Sequence, residues 1–264
     1  MRKRNGFRVR ARIGVAALSL CLAVGTAFAL DDIAPAVHGD EAYARNDLAG
    51  ARIAYQEGLG ARPGDFHLLC RLARTESELG EDAKGEERRR LIAAAVEHAR
   101  AAVAAAPDSA QGHVWLAVAL GRQALKEGPK AKLSLAREIK SEVDRGLQID
   151  PGSGRGYHVR AAWNREIADL NFFERAAANT VLGGVPKGAS MENAVRDFEQ
   201  AVSLEPHYLN HHLELGRTYL MMKRFVEARR ELERALELPP TSNPRDAKYQ
   251  AEARDLLAKL PRKD

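Results

Sequence analysis

The sequence has little of what a disulfide-stapled fold or a familiar hydrolase needs. Only two of its 264 residues are cysteine, Cys21 and Cys70, too few for a framework of bridges to replace a hydrophobic core. Aromatic residues make up 6%, so a core must be built from aliphatic side chains and alanine. There is no Gly-x-Ser-x-Gly, no Ser-x-x-Lys and no His-Glu-x-x-His, which leaves nucleophilic and zinc hydrolysis without sequence support. No stretch alternates with period two for long enough to read as a strand. The longest uncharged apolar run, Ile13–Ala29, has 17 residues, short of the roughly 20 that a spanning helix needs. With 45% apolar and 29% charged residues, the chain is neither disordered nor fibrous.

The formal charge of +5 is unevenly placed. Six of the 41 bases, Arg2, Lys3, Arg4, Arg8, Arg10 and Arg12, lie within the first 29 residues, which hold no acid, leaving 35 bases against 36 acids. Without a basic face, the electrostatic case for a nucleic-acid partner disappears. The basic start, the apolar run and the small residues Ala27-Phe28-Ala29 have the layout of a signal peptide over 1–29. This predicts export, with a bacterial periplasm as destination and no membrane span after cleavage; the alternative is an uncleaved N-terminal helix acting as an anchor. The mature domain is expected over 30–264. Cys70 is then a lone thiol on an apolar helix face, read as a core residue.

A repeat is present, stretched by insertions. Ala51, Tyr55, Gly58, Pro63; Ala95, Ala99, Ala102, Pro107; Ile139, Val143, Gly146, Pro151; Ala194, Phe198, Ala201, Pro206; and Ala228, Leu232, Ala235, Pro240 share one spacing. Offsets of four and three put the first three residues of each set on one helical face, where small side chains let a neighbouring helix come close. Each proline ends a helix. Successive prolines are 44, 44, 55 and 34 residues apart, and the last spacing is that of a tetratricopeptide unit. Leu215-Gly216, Tyr219, Ala228, Leu232, Ala235 and Pro240 resemble that repeat, with helices expected over Leu209–Met222 and Phe225–Glu237. Gly39 precedes Ala51 by twelve residues, as Gly216 precedes Ala228.

Longer spacings predict lengthened middle repeats. The charged stretch Gly80–Arg90 is expected to separate Leu79 from a helix Leu91–Ala106, a long helix to cover Ala131–Gln148, and Asn171–Ser190 to hold an inserted apolar helix and a Gly/Pro loop. A last helix with Tyr249, Ala253, Leu256, Leu257 and Leu260 on one face and Arg245, Lys248, Glu252, Asp255 and Lys259 on the other is expected to cap the array. The fold class is therefore all-α, a right-handed α-solenoid of helix hairpins with a C-terminal capping helix.

Over about residues 110–260 the chain resembles the regulator of microtubule dynamics family. The resemblance is carried by His113-Val114-Trp115-Leu116-Ala117-Val118-Ala119-Leu120-Gly121, by Ile149-Asp150-Pro151 with Gly156-Tyr157-His158 and Trp163, and by Phe173-Glu174-Arg175-Ala176-Ala177 through Val185-Pro186 to Asp197-Phe198. It implies the tetratricopeptide fold and a binding role.

In that repeat, positions 2, 5, 9, 12 and 13 of the first helix commonly face the groove. Here they hold Arg74, Arg122, Arg155, Arg165 and Arg217, whose guanidinium forks suit carboxylate or phosphate. The competing reading pairs them with Glu78, Glu166 and other acids. The run Gly152–Gly156 reads as an inter-repeat turn, because a helix and not a strand precedes it. Trp115, Trp163, Phe172 and Phe173 read as core. His207, His211 and His212 lack the further ligands a zinc site needs, and neither metal nor cofactor is expected. Two functions follow: a non-enzymatic scaffold that binds a protein or peptide in its groove, or a carrier that encloses a lipid chain in an apolar cavity with arginines at the head group.

Overall fold

The computed structural model describes residues 34–171, 174–176, 178, 184–241 and 243–261. The expected signal segment 1–29, Phe172 and Phe173 lie outside them, as does much of the insertion 171–190. Among the described residues the secondary structure is helical, with no strand. α1 covers residues 34–44, followed by α2 (Leu48–Ala61), α3 (Phe66–Asp82), α4 (Gly85–Ala105), α5 (Ala110–Ala124), α6 (Pro129–Ile149) and α7 (Gly154–Ala168). Residues 174–176 and 178 are helical and form α8. α9 (Met191–Leu204), α10 (Leu209–Met221), α11 (Phe225–Glu237) and α12 (Asp246–Ala258) complete the chain. Within the array α3 packs on α4, α5 on α6, α7 on α9 and α10 on α11, and α12 closes the end against α10 and α11. α8 is inserted between the two helices of the fourth hairpin.

The small-residue positions read from the sequence are the helix crossings. Ala51, Ala95, Ala99, Ala102, Ala194, Ala201, Ala228 and Ala235 have no exposed surface at all. Gly39 and Gly216, each twelve residues before its alanine, face the larger residue sixteen positions on: a Cβ on Gly39 would lie 2.3 Å from the Tyr55 ring, and one on Gly216 2.8 Å from Leu232. Glycine is required at both places by close approach. Between hairpins one turn recurs, in which the residue before each first helix donates its N–H to the carbonyl of the residue just after the preceding helix: Asp65 to Arg62, Ser109 to Ala106, Ser153 to Asp150 and Tyr208 to Glu205. Pro63, Pro107, Pro151 and Pro206 sit inside these turns, where a helix cannot continue through them. Ser153 caps α7 by accepting from Gly156 N–H at 3.1 Å, so Gly152–Gly156 is the inter-repeat turn and the start of α7.

Two details differ from expectation. α4 begins at Gly85, six residues early, because Glu86 and Glu87 in its first turn favour the helix N-terminus; the charged stretch is helical on both sides of a two-residue break. Arg245, expected on the outward face of the capping helix, is buried. It reaches back to the end of α3, where its guanidinium contacts Glu81 at 2.9 Å and Asp82 at 3.0 Å, and Lys248 joins both acids at 3.1 and 2.9 Å. The array therefore curls until its last helix touches its second hairpin, and the concave side is narrow.

This register predicts the stability of three variants. Ala228→Leu overpacks a crossing and costs about 1–3 kcal/mol. Arg245→Ala strips a buried cation from two acids and costs about 3 kcal/mol, whereas Arg217→Ala, at a side chain 35% exposed, costs under about 1 kcal/mol. Thermal melts that rank Arg217→Ala as the most damaging of the three would show the register to be wrong.

Candidate functional site

The first helices α3, α5, α7, α10 and α12 follow one another along the concave side. From them project arginines interleaved with aromatic rings. The Arg74 guanidinium lies 3.6 Å over the centre of the Tyr43 ring, and that of Arg155 lies 4.6 Å from Trp115 and 5.6 Å from Tyr208. Such stacking holds a cation without neutralising it. Between the second, third and fourth hairpins these groups border a cleft of about 330 Å³ whose walls include Cys70, Arg71, Arg74, Val114, Trp115 and Arg155. Beside Arg74 the Tyr43 hydroxyl donates to Glu78 at 2.8 Å. Burial raises the Glu78 pKa, with the nearby arginines opposing. Burial likewise pushes the Cys70 thiol up to about 12, so it is protonated and inert.

Of the five arginines read as groove candidates, the structure brings two to the cleft. Arg74 and Arg155 line it, and among the described residues neither guanidinium forms an ion pair, although the backbone N–H of Arg155 donates to Glu205. The other three are ion-paired. Arg122 meets Glu81 at 2.6 Å, beside Arg245 and Lys248. Arg165 is buried against Glu214 at 2.7 Å and donates to the Thr218 hydroxyl at 3.2 Å; Glu166, one of the acids offered from sequence as partners for these arginines, is 3.7 Å away. Arg217 bridges Glu252 at 2.8 Å and Glu214 at 3.2 Å. Trp115 and Trp163 are buried, the latter donating its indole N–H to the Ala136 carbonyl at 2.7 Å.

Behind Arg155 runs a buried polar chain. Glu205 accepts from His211 Nε2 at 3.0 Å, and the two Nδ1 atoms of His211 and His158 face each other at 2.9 Å, an arrangement that holds one proton between two rings. The Glu205 pKa is lowered, first by the His211 hydrogen bond. Burial lowers both histidines, aided at His158 by His211 and by Arg155, Arg165 and Arg122, and opposed at His211 by Glu205. Arg155 stays charged: burial works against it, but Tyr208, Glu205, Tyr43 and Glu78 shift its pKa upward.

Sequence reasoning missed a second use of histidine. His113 has Nε2 2.9 Å from the Pro107 carbonyl and Nδ1 2.7 Å from Glu142, and His212 repeats this with Pro206 at 3.2 Å and Glu231 at 2.9 Å. Each ring pins an inter-repeat turn to the second helix of its own hairpin. The shared spacing, histidine six residues after the turn proline, was the available signal. His211 and His212 therefore serve different networks, and His207 is exposed. Among the described residues there is no group of three His, Cys, Asp or Glu placed to hold a metal ion.

Stacked helix hairpins with a polar concave face are the architecture of a tetratricopeptide-repeat scaffold. The fold agrees with that of a thermophilic TPR protein of Thermus thermophilus, which superposes with a TM-score of 0.64 at 20% identity over 86% of this chain and 99% of that one. More specifically, the chain belongs to the family described as regulator of microtubule dynamics protein 1-3, whose model matches residues 38–261, well beyond the stretch from residue 110 in which the resemblance is visible by eye. It is 30% identical to regulator of microtubule dynamics protein 1 of Caenorhabditis elegans over 73% of this chain and 84% of that protein, and 30% identical to the Bos taurus protein over 73% and 61%. It is 29% identical to protein 3 of Mus musculus over 79% of this chain, which spans only 43% of that relative.

These relatives correct one expectation. They are animal proteins named for the regulation of microtubules, a setting that has no periplasm, so the assignment to a bacterial periplasm is withdrawn. A basic stretch followed by an apolar one is a pattern of composition, and composition does not fix a destination. The N-terminal anchor would fall on residues outside those described; among the described residues no helix is long and apolar enough to cross a membrane.

The histidine pair makes stability depend on pH. Unfolded histidines take up protons as pH falls through about 6.5, while the folded pair, with lowered pKa values, does not. Stability is therefore lost on acidification below about pH 6.5, by up to about 1.4 kcal/mol per pH unit for each ring, until the folded values are reached. Glu205, lowered in the folded chain, adds a separate loss only below about pH 4.5. Melting temperatures of the wild type and His158→Gln between pH 7.5 and 5.5 test this. The variant should show the shallower slope, and equal slopes would mean that His158 takes up its proton at the same pH in the folded and unfolded chains.

Proposed function

We propose that this chain is a non-enzymatic scaffold that holds a protein partner against its concave side. The observation that carries the reading is the character of that side, where Arg74 and Arg155 stand on aromatic faces at the rim of a cleft while neighbouring cations are neutralised by acids of the same array. Cations left unpaired at an accessible site steer and orient an anionic partner. The carrier reading needs a continuous apolar cavity, and the described walls of this cleft include three arginines together with Asp150 and Glu205, so nothing favours it.

The family's name makes polymerised tubulin the first partner to assay. The chain should co-sediment with microtubules and saturate. Arg155→Glu should weaken that binding by about fivefold, while Arg254→Glu, on the exposed face of α12, should leave it unchanged. No co-sedimentation by the correctly folded chain would remove tubulin as partner. Equal loss in both variants would remove the concave side as the site.

A further inference from the structure

We propose that the cleft between the second, third and fourth hairpins is a site for one organic carboxylate carrying a small apolar substituent, gripped by Arg74 and Arg155. This rests on the reading of the concave side as a binding surface and adds the chemistry of what it takes. Arg74 is the first reason. Its Nε is buried with no hydrogen-bond partner, although a buried N–H of this kind is ordinarily satisfied. Its ring contact with Tyr43 occupies a face of the guanidinium and leaves the edge, where the donors are, for a ligand. Of the acids that act on it, Glu78 gives one oxygen to the Tyr43 hydroxyl at 2.8 Å.

Charge selects the class of anion. Of the other ionisable groups on the walls, Arg71 is held by Asp40 through two hydrogen bonds of 2.8 Å, and Glu205 is held by His211. Asp150 remains, exposed and accepting from Gly152 N–H at 2.9 Å. Because His211 stays neutral, its hydrogen bond leaves Glu205 charged, so the two guanidiniums meet two carboxylates, Glu205 and Asp150, and a nearly balanced site of this kind suits a monoanion better than a dianion. A phosphate monoester, with about −1.5 to −2 at neutral pH, would bring its extra charge against Asp150 and Glu205.

Size and lining select the rest. At about 330 Å³ the cleft is at the small end of ligand sites. Cys70, Val114 and Trp115 supply apolar wall beside the arginines. Along α3 the cleft residues Cys70 and Arg74 are followed by Glu78 and then by Glu81 and Asp82, which Arg245 and Lys248 bind. A small free carboxylic acid and the C-terminal residue of a peptide both present this chemistry.

Calorimetric titration of the full chain with four probes separates the possibilities: 3-phenylpropionate, its primary amide, an acetylated hexapeptide ending in phenylalanine as the free acid, and inorganic phosphate. At least one carboxylate should bind with a stoichiometry of one. Saturation by 3-phenylpropionate identifies a free acid as sufficient, and saturation by the peptide alone identifies a chain end. The amide should bind at least about tenfold more weakly than the acid, and phosphate more weakly than either carboxylate. Arg74→Gln and Arg155→Gln should each weaken carboxylate binding by about tenfold, as expected for loss of one charged fork. Equal binding of acid and amide in the wild type overturns the proposal whether or not the variants fold. So does tighter binding of phosphate, or no binding of either carboxylate at millimolar concentration. If the carboxylates fail while microtubule co-sedimentation persists, the cleft assignment falls and the scaffold reading stands.

Discussion

The approach of helices at residues with no side chain to spare is the constraint on which the rest of this structure depends. With Ala228, Ala235 and Gly216 at one crossing and Ala51, Gly58 and Gly39 at another, the paired helices can pack closely enough to bury Leu232 and Tyr55 completely. Dispersion and the removal of apolar surface from water then stabilise each hairpin, although aromatic residues are few. Tight hairpins also fix the direction in which the first helices point their outer positions, so that side chains from five hairpins meet on one side. A looser crossing would leave the same helices and lose the convergence of Arg74 and Arg155.

The hairpins were legible because their signal is local. A repeat of four, three and five residues ending in proline reports helix face and helix end together, and its register locates the buried alanines without reference to the rest of the chain. α10 and α11 run over Leu209–Met221 and Phe225–Glu237, almost as the sequence reading places them. The onset of α4 was harder, since charged residues that look like a loop are good helix formers when acids occupy the first turn. The arginines show the limit of such reasoning. Position in the repeat identifies which of them face inward, but whether each finds an acid depends on residues far away in sequence. Arg122 is neutralised at Glu81, 41 positions earlier, and Arg245 reaches Asp82 across 163. Periodicity does not encode that curvature.

The same distant contacts explain how a chain with nearly balanced charge beyond residue 29 keeps two guanidiniums outside its internal ion pairs. Acids at Glu81, Asp82, Glu214 and Glu252 are taken up by Arg122, Arg245, Lys248, Arg165 and Arg217. What is left without a side-chain ion pair at the cleft is a pair of arginines resting on rings. Overall composition, which argues against a basic surface, says nothing about this residue of charge after internal pairing. The histidines divide along similar lines: those at 113 and 212 tie turns to helices, while 158 and 211 form a buried proton-sharing pair beneath Arg155.

The contact between α12 and the end of α3 has a consequence for how the molecule comes apart. An open solenoid behaves as a row of units coupled only to their neighbours, and its ends fray independently of its middle. Here the cluster of Arg245 and Lys248 on Glu81 and Asp82 couples the last helix to the second hairpin, skipping those between. The terminal helix cannot peel away without breaking a contact that also steadies α3, so the row gains some of the all-or-none character of a globular domain. The contact also joins residues more than 160 positions apart, a separation that no neighbour contact in the array spans.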